Sequence, residues 1–178
     1  MKILKRIALA LGVLIAGILL FALTKPDTFR VQRSISINAA PEKIFALIND
    51  FHQWEAWSPW EKLDPAMKRT FSGPASGKGS VYAWEGNGQV GAGRMEILDT
   101  TQPTRILIDL QFFAPMEGHN TAEFLLQPQG GATTVSWSMQ GPNTYLGKVI
   151  QVFCDIGDFV GKDFDKGLAG MKLAAEKN

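Results

Sequence analysis

The closing stretch of the chain, LGKVIQVFCDIGDFVGKDFDKGLAGMKLAAEKN from Leu146 to Asn178, decides the fold. Leu146, Ile150, Phe153, Val160, Phe164, Leu168 and Met171 recur at helical steps and share one stripe. Val149, Val152, Ile156 and Phe159 widen that stripe in the first half until little polar surface is left. The second half regains a polar face through Lys162, Asp163, Asp165, Lys166, Lys172 and Glu176. One long helix is expected, and its apolar end must be wrapped by another part of the chain. Gly157, Gly161, Gly167 and Gly170 lie inside it, each costing about 0.5–1 kcal/mol relative to Ala. Close packing of backbone against a sheet, or a kink, accounts for them; room for a ligand beside the helix is the alternative.

The wrapper lies upstream. Phe29–Ile37 alternates with period two, the pattern of a half-buried strand. Pro41 opens a short helix carrying Ile44, Phe45, Leu47 and Ile48, and Asn49-Asp50 closes it. Phe51–Trp57 reads as a second short helix, which the chain leaves at Ser58-Pro59. From Met67 to Gly141 turn residues punctuate six more strands: 68–72, 80–85, 93–100, 105–113, 120–127 and 132–140. Alternation points Met95, Ile97, Ile106, Ile108, Leu110, Phe112, Phe124, Leu126, Val135, Trp137 and Met139 inward. The expected class is α+β, a seven-stranded antiparallel sheet curled around the long C-terminal helix.

Residues 1–25 differ in kind from the domain expected over 26–178. Ile7 to Leu23 is an uninterrupted apolar run behind Lys2, Lys5 and Arg6. At 1.5 Å per residue it reaches about 26 Å, close to the thickness of the hydrocarbon core. A cleaved signal has a shorter core and small residues before the cut, which Ala22-Leu23-Thr24 imitates poorly. The reading is therefore a single transmembrane anchor, with a signal sequence as the alternative. The basic flank keeps the N-terminus cytoplasmic and exports the domain, into the periplasm if the cell is bacterial. Lys25-Pro26-Asp27 is a short tether that holds the domain against the bilayer.

Three of the 18 Lys and Arg precede the apolar run and all 17 Asp and Glu follow it, so the domain is mildly acidic. With no basic stripe, nucleic acid is not an expected partner. Gly86-Asn87-Gly88-Gln89-Val90-Gly91 matches GxGxxG, but a strand follows where a nucleotide site needs a helix N-terminus, so a hairpin turn is expected and no nucleotide. Cys154 is the single cysteine and reads as a buried, inert thiol, which leaves no cysteine metal cluster. His52 and His119 are the two histidines, and neither stands in a metal-ligand or nucleophile motif. No metal and no cofactor are expected.

His119 with Asp109 is the weak candidate pair for acid–base work; alternation puts Asp109 on the face opposite Ile108 and Leu110, which favours solvent. Arg94 and Glu96 read as a surface pair. Trp54, Trp57 and Trp60 cluster on the second short helix and its exit, where they pack, border a cavity or rest on a membrane interface.

The element order and the wording of Val31–Glu42 (VQRSISINAAPE), Trp54–Trp60 (WEAWSPW), Gly118–Pro128 (GHNTAEFLLQP), Thr133–Gly141 (TTVSWSMQG) and Val160–Lys172 (VGKDFDKGLAGMK) resemble the SRPBCC, or helix-grip, superfamily over roughly residues 29–175. That superfamily holds START, Bet v 1 and polyketide cyclase/dehydrase proteins. The resemblance implies an apolar cavity between sheet and C-terminal helix but transfers no catalytic residue. Trp54, Trp57, Trp60, Met95, Ile108, Leu110, Trp137 and Phe153 are the candidate ligand contacts. The leading expectation is a membrane-anchored domain that binds a hydrophobic small molecule or lipid. A polyketide cyclase- or dehydratase-like enzyme and an envelope protein-interaction domain with a filled core are the alternatives.

Overall fold

A computed structural model describes residues 1–153 and 156–177. Helix α1 spans Lys2–Ala22, strand β1 Thr28–Ile37 and helix α2 Pro41–Asn49, followed by 3₁₀ turns over Phe51–Ala56 and Pro59–Lys62. Strands β2 (Lys68–Ser72), β3 (Val81–Glu85), β4 (Ala92–Thr101), β5 (Arg105–Ala114), β6 (Gly118–Gln129) and β7 (Ala132–Pro142) come next. Helices α3 (Tyr145–Phe153) and α4 (Ile156–Glu176) close the chain.

The strands form one antiparallel sheet in the order β1-β7-β6-β5-β4-β3-β2. The meander pairs each strand from β2 to β6 with its successor, and β1 closes on β7 with Val31 opposite Met139 and Ile35 opposite Val135. One face carries the inward residues that alternation selects: Ile97, Ile106, Ile108, Phe124 and Val135 are fully buried, and Met95, Leu110, Leu126, Trp137 and Met139 nearly so. The other face is a charged surface. Arg94 pairs with Glu96 at 2.5 Å, and Arg105 reaches both Glu123 and Asp99, at 2.7 and 3.2 Å.

Helix α4 lies against β1, α2 and the 3₁₀ turns and buries Phe164, Leu168, Met171 and Ala175, one stripe at three- and four-residue spacing. Gly161, Gly167 and Gly170 serve close approach, not empty space. A Cβ on Gly170 would stand 2.6 Å from the Trp57 carbonyl oxygen, and one on Gly167 would stand 2.8 Å from the Trp137 ring. A Cβ on Gly161 would run into the Arg33 guanidinium.

Two expectations need correction, and one between them holds. The apolar first half of the C-terminal stretch is not wrapped by the sheet: no residue of α3 is buried, and the helix packs on α1 instead. The chain does leave its short helix at Ser58, whose backbone is extended, and Pro59 then opens a further 3₁₀ turn. Trp54 and Trp57 are core residues, so neither rests on a membrane interface. The expected continuity of the long helix across 154–155, and the buried thiol of Cys154, lie outside the described residues.

Candidate functional site

Between the concave face of the sheet and the C-terminal helices lies a cavity of about 870 Å³. This is within the size range of small-molecule sites. The core is therefore not filled, which removes the premise of the protein-interaction alternative. Its walls are apolar and aromatic: Trp54, Trp60, Tyr82, Trp84, Phe112, Trp137 and Phe164, with Met95, Leu110, Ala122, Met139 and Ile150 between them. The rings brace one another. Trp137 stacks on Phe164 with centroids 4.0 Å apart and on Phe124 at 4.9 Å, while Trp60 meets Trp137 edge-on at 5.8 Å.

Of the ligand contacts expected from the sequence, Trp54, Trp60, Met95, Leu110 and Trp137 line this cavity. Trp57, Ile108 and Phe153 do not. Trp57 is held in the core behind the wall by its indole N–H, which donates to the Leu47 carbonyl at 2.9 Å. Ile108 packs fully within the core, and Phe153 projects from α3 with two-thirds of its surface exposed.

The candidate acid–base pair forms, but not in the cavity. His119 Nε2 lies 2.5 Å from Asp109 Oδ1, and Gln111 Nε2 donates to Asp109 Oδ2 at 2.7 Å. Strand alternation turns all three away from Leu110 and Asn120, onto the convex face; His119 only touches the cavity rim, and Asp109 does not line it. A guest between sheet and helix cannot meet the Asp109 carboxylate without crossing the sheet. His52 stands elsewhere, bonded to Asp50 at 2.8 Å and stacked on Phe71. No metal-binding cluster of His, Cys, Asp or Glu occurs among the described residues.

The polar groups that do face the cavity come from positions with no motif. Glu61, on the second 3₁₀ turn, is buried; its Oε2 receives Arg69 Nε at 2.7 Å and its Oε1 receives the Tyr82 hydroxyl at 2.6 Å. The same carboxylate raises the pKa of Arg69 above its ordinary value, and burial followed by Glu61 raises the Tyr82 phenol above its own. Arg69 thus balances the Glu61 charge from behind, and Tyr82 stays protonated. Asn120, buried on β6 and pointing inward, has no side-chain hydrogen bond to the described protein. Its amide oxygen nests against Gly141, where any Cβ would collide with it. The indole N–H of Trp137 is buried without an acceptor among the described residues. No Lys or Arg is among the described residues lining the cavity, whereas Glu61, Glu117 and Asp163 are.

GxGxxG is the β3–β4 turn: Gly86 N–H donates to Gly91 O at 2.9 Å, Gly91 adopts a left-handed φ of 64°, and the Trp84 indole closes on Val90 O at 3.0 Å. Glycine at 91 meets the positive φ and the close approach of Ala114 from the neighbouring hairpin.

A curled antiparallel sheet gripping a C-terminal helix around an apolar cavity defines the ligand-binding helix-grip class of fold. The chain belongs to the family described as polyketide cyclase / dehydrase and lipid transport, whose signature matches residues 28–176. Among solved structures it is similar to the di-domain ARO/CYC BexL from the BE-7585A biosynthetic pathway, with a TM-score of 0.63 at 15% identity over 89% of this chain and 53% of that one. Major latex-like protein 151 from Panax ginseng gives a TM-score of 0.61 at 11% identity over 85% of this chain and 100% of that one. A protein from Chromobacterium violaceum gives 0.59 at 14% identity, over 86% and 100%. At these identities the likeness is one of fold. No curated protein matches the chain in sequence.

Proposed function

We propose that this chain is a membrane-anchored carrier or receptor for a hydrophobic molecule, held between the sheet and helix α4 and contacting Trp54, Trp60, Met95, Leu110 and Trp137. The observation that carries the reading is the cavity itself: about 870 Å³ with aromatic walls is left open where a filled core would have been more stable. The polar inventory narrows the guest. No Lys or Arg among the described lining residues matches a carboxylate or phosphate, so the hydrophobic body bears a neutral hydroxyl or carbonyl group instead. Asn120 and the Trp137 indole supply the donors such a group satisfies. The anchoring reading draws support from α1, which is long and apolar enough to cross a bilayer and has no buried residue in its most apolar window.

The test is a paired extraction. The full chain and an Ala122→Phe variant, which fills the cavity from β6, are purified in the same detergent and extracted with organic solvent. Mass spectrometry of the wild type is expected to show a neutral hydrophobic molecule, near one per protein, that the filled variant lacks. Identical extracts, together with equal binding of a long-chain alcohol and its carboxylate by both proteins, would sink the proposal.

A further inference from the structure

We infer that the cavity opens into the lipid bilayer and not into water: its rim, built by the β5–β6 turn, α3 and the start of α4, lies in the interfacial layer of the membrane. The inference rests on α1 being a membrane anchor, which the experiment below checks separately.

The geometry that carries it is the clamp between α1 and α3. The Tyr145 hydroxyl donates to the Leu19 carbonyl at 3.1 Å, and Ile18 and Ala22, one turn apart, are the covered positions of α1. Beyond the helix end, Asn143 Nδ2 donates to Pro26 O at 3.0 Å, and Lys148 Nζ pairs with Asp27 Oδ1 at 2.5 Å. These contacts lock the three-residue tether, so α3 cannot swing away from the anchor. Leu19 lies inside the last turn of α1, about 5 Å short of its end at 1.5 Å per residue. Where α1 spans a bilayer, Tyr145 is therefore held at membrane depth and not above it.

The side chains at that level fit an apolar layer. Leu146 is 60% exposed, Phe153 66%, Phe159 75% and Met116, at the tip of the β5–β6 turn, 60%. Leu146, Phe159 and Met116 also line the cavity, so the exposed apolar surface and the mouth are one feature. In water such a patch is an aggregation liability; a helix lying in the interface buries its apolar face about 5–10 Å into the headgroup–acyl boundary. Tyr145, Lys148 and Lys25 gather where α1 ends, and they are residue types that settle at the headgroup level. A hydrophobic guest then passes from acyl chains to cavity without crossing water.

Single cysteines at Met116, Leu146 and Phe159, in a Cys154→Ser background, are spin-labelled in the full chain and reconstituted into phosphatidylcholine vesicles. Leu14→Cys reports on the middle of α1 and Leu173→Cys, on the exposed side of α4, on the aqueous domain. Collision with oxygen is expected to exceed collision with a water-soluble nickel chelate several-fold at the three rim positions and at Leu14, and to reverse at Leu173. Rim labels open to nickel while Leu14 stays buried would overturn the bilayer portal and leave the anchor standing. A Leu14 label open to nickel would remove both. Rim labels shielded from both reagents would show that a second copy covers the mouth, which also overturns the inference.

Discussion

Asn120 turns its amide to the cavity with no bond to the described protein, and that arrangement has separable consequences for stability and for binding. The amide bonds nothing within the described protein and meets the open cavity, so Asn120→Leu is expected to leave the protein about as stable as wild type. The same change should weaken binding of a long-chain alcohol about five- to tenfold, the worth of one lost hydrogen bond, as read by isothermal titration. If affinity is unchanged, Asn120 does not touch the guest. Glu61 and Tyr82 behave differently, because their bond is made within the protein. Tyr82→Phe leaves a carboxylate oxygen of Glu61 unpaired and should cost about 2 kcal/mol in urea denaturation at pH 7. Burial, then Glu61, raises the phenol pKa in the folded state, so the folded protein holds that proton more tightly than the unfolded chain. The resulting stability is complete below the unfolded phenol value of about 10 and is lost as pH climbs past it toward the folded value. The Tyr82→Phe variant should lack that alkaline component. Neither residue announces itself in the sequence: Glu61 sits in an ordinary SPWEK turn, and its partners Arg69 and Tyr82 are brought to it only by the β2–β3 hairpin.

Elements were more legible than sites. Alternation marked β1 and the inward faces of β4 to β7, because a strand with one buried face must alternate, whereas turn residues delimited the rest, including β2, which buries no face. The glycines of α4 were ambiguous on sequence, since a small residue permits either a gap or a close neighbour. The structure fills the space with Trp57, Trp137 and Arg33. This gives an inverted expectation for Gly170→Ala. Helix propensity alone favours alanine by about 1 kcal/mol, but the new methyl would lie 2.6 Å from the Trp57 carbonyl oxygen. Overpacking of about 1–3 kcal/mol should prevail and lower the melting temperature by several degrees in calorimetry. A rise would mean that α4 moves off the 3₁₀ turns easily. The amphipathic stretch before residue 154 misled in a specific way: its hydrophobicity showed that it needs an apolar surrounding, and periodicity cannot say whether sheet, membrane helix or lipid supplies it.

At the level of the whole chain, the core is self-contained: its buried cluster runs from Val31 to Ala175 and takes nothing from α1. Residues 25–178 alone should therefore melt cooperatively within a few degrees of the full chain. The truncated domain should still float with phosphatidylcholine vesicles, because the apolar surface of α3 goes with it. A domain that fails to fold without α1 would show that the α1–α3 clamp is structural, and one that stays in the aqueous fraction would weaken the case for a bilayer-facing rim.

The sequence by itself determined the α+β class, the strand count, the inward faces of β4 to β7, the closing helix that the sheet grips and the apolar N-terminal run, because each is written as a local period or composition. Placement of the chemistry was decided only by tertiary structure. Whether Trp54 or Trp57 reaches the cavity, whether Asp109 and His119 lie inside the sheet or outside it, and which polar groups face a guest all depend on contacts between residues far apart in the chain. Periodicity fixes the face of an element, but it carries no information about what that face meets.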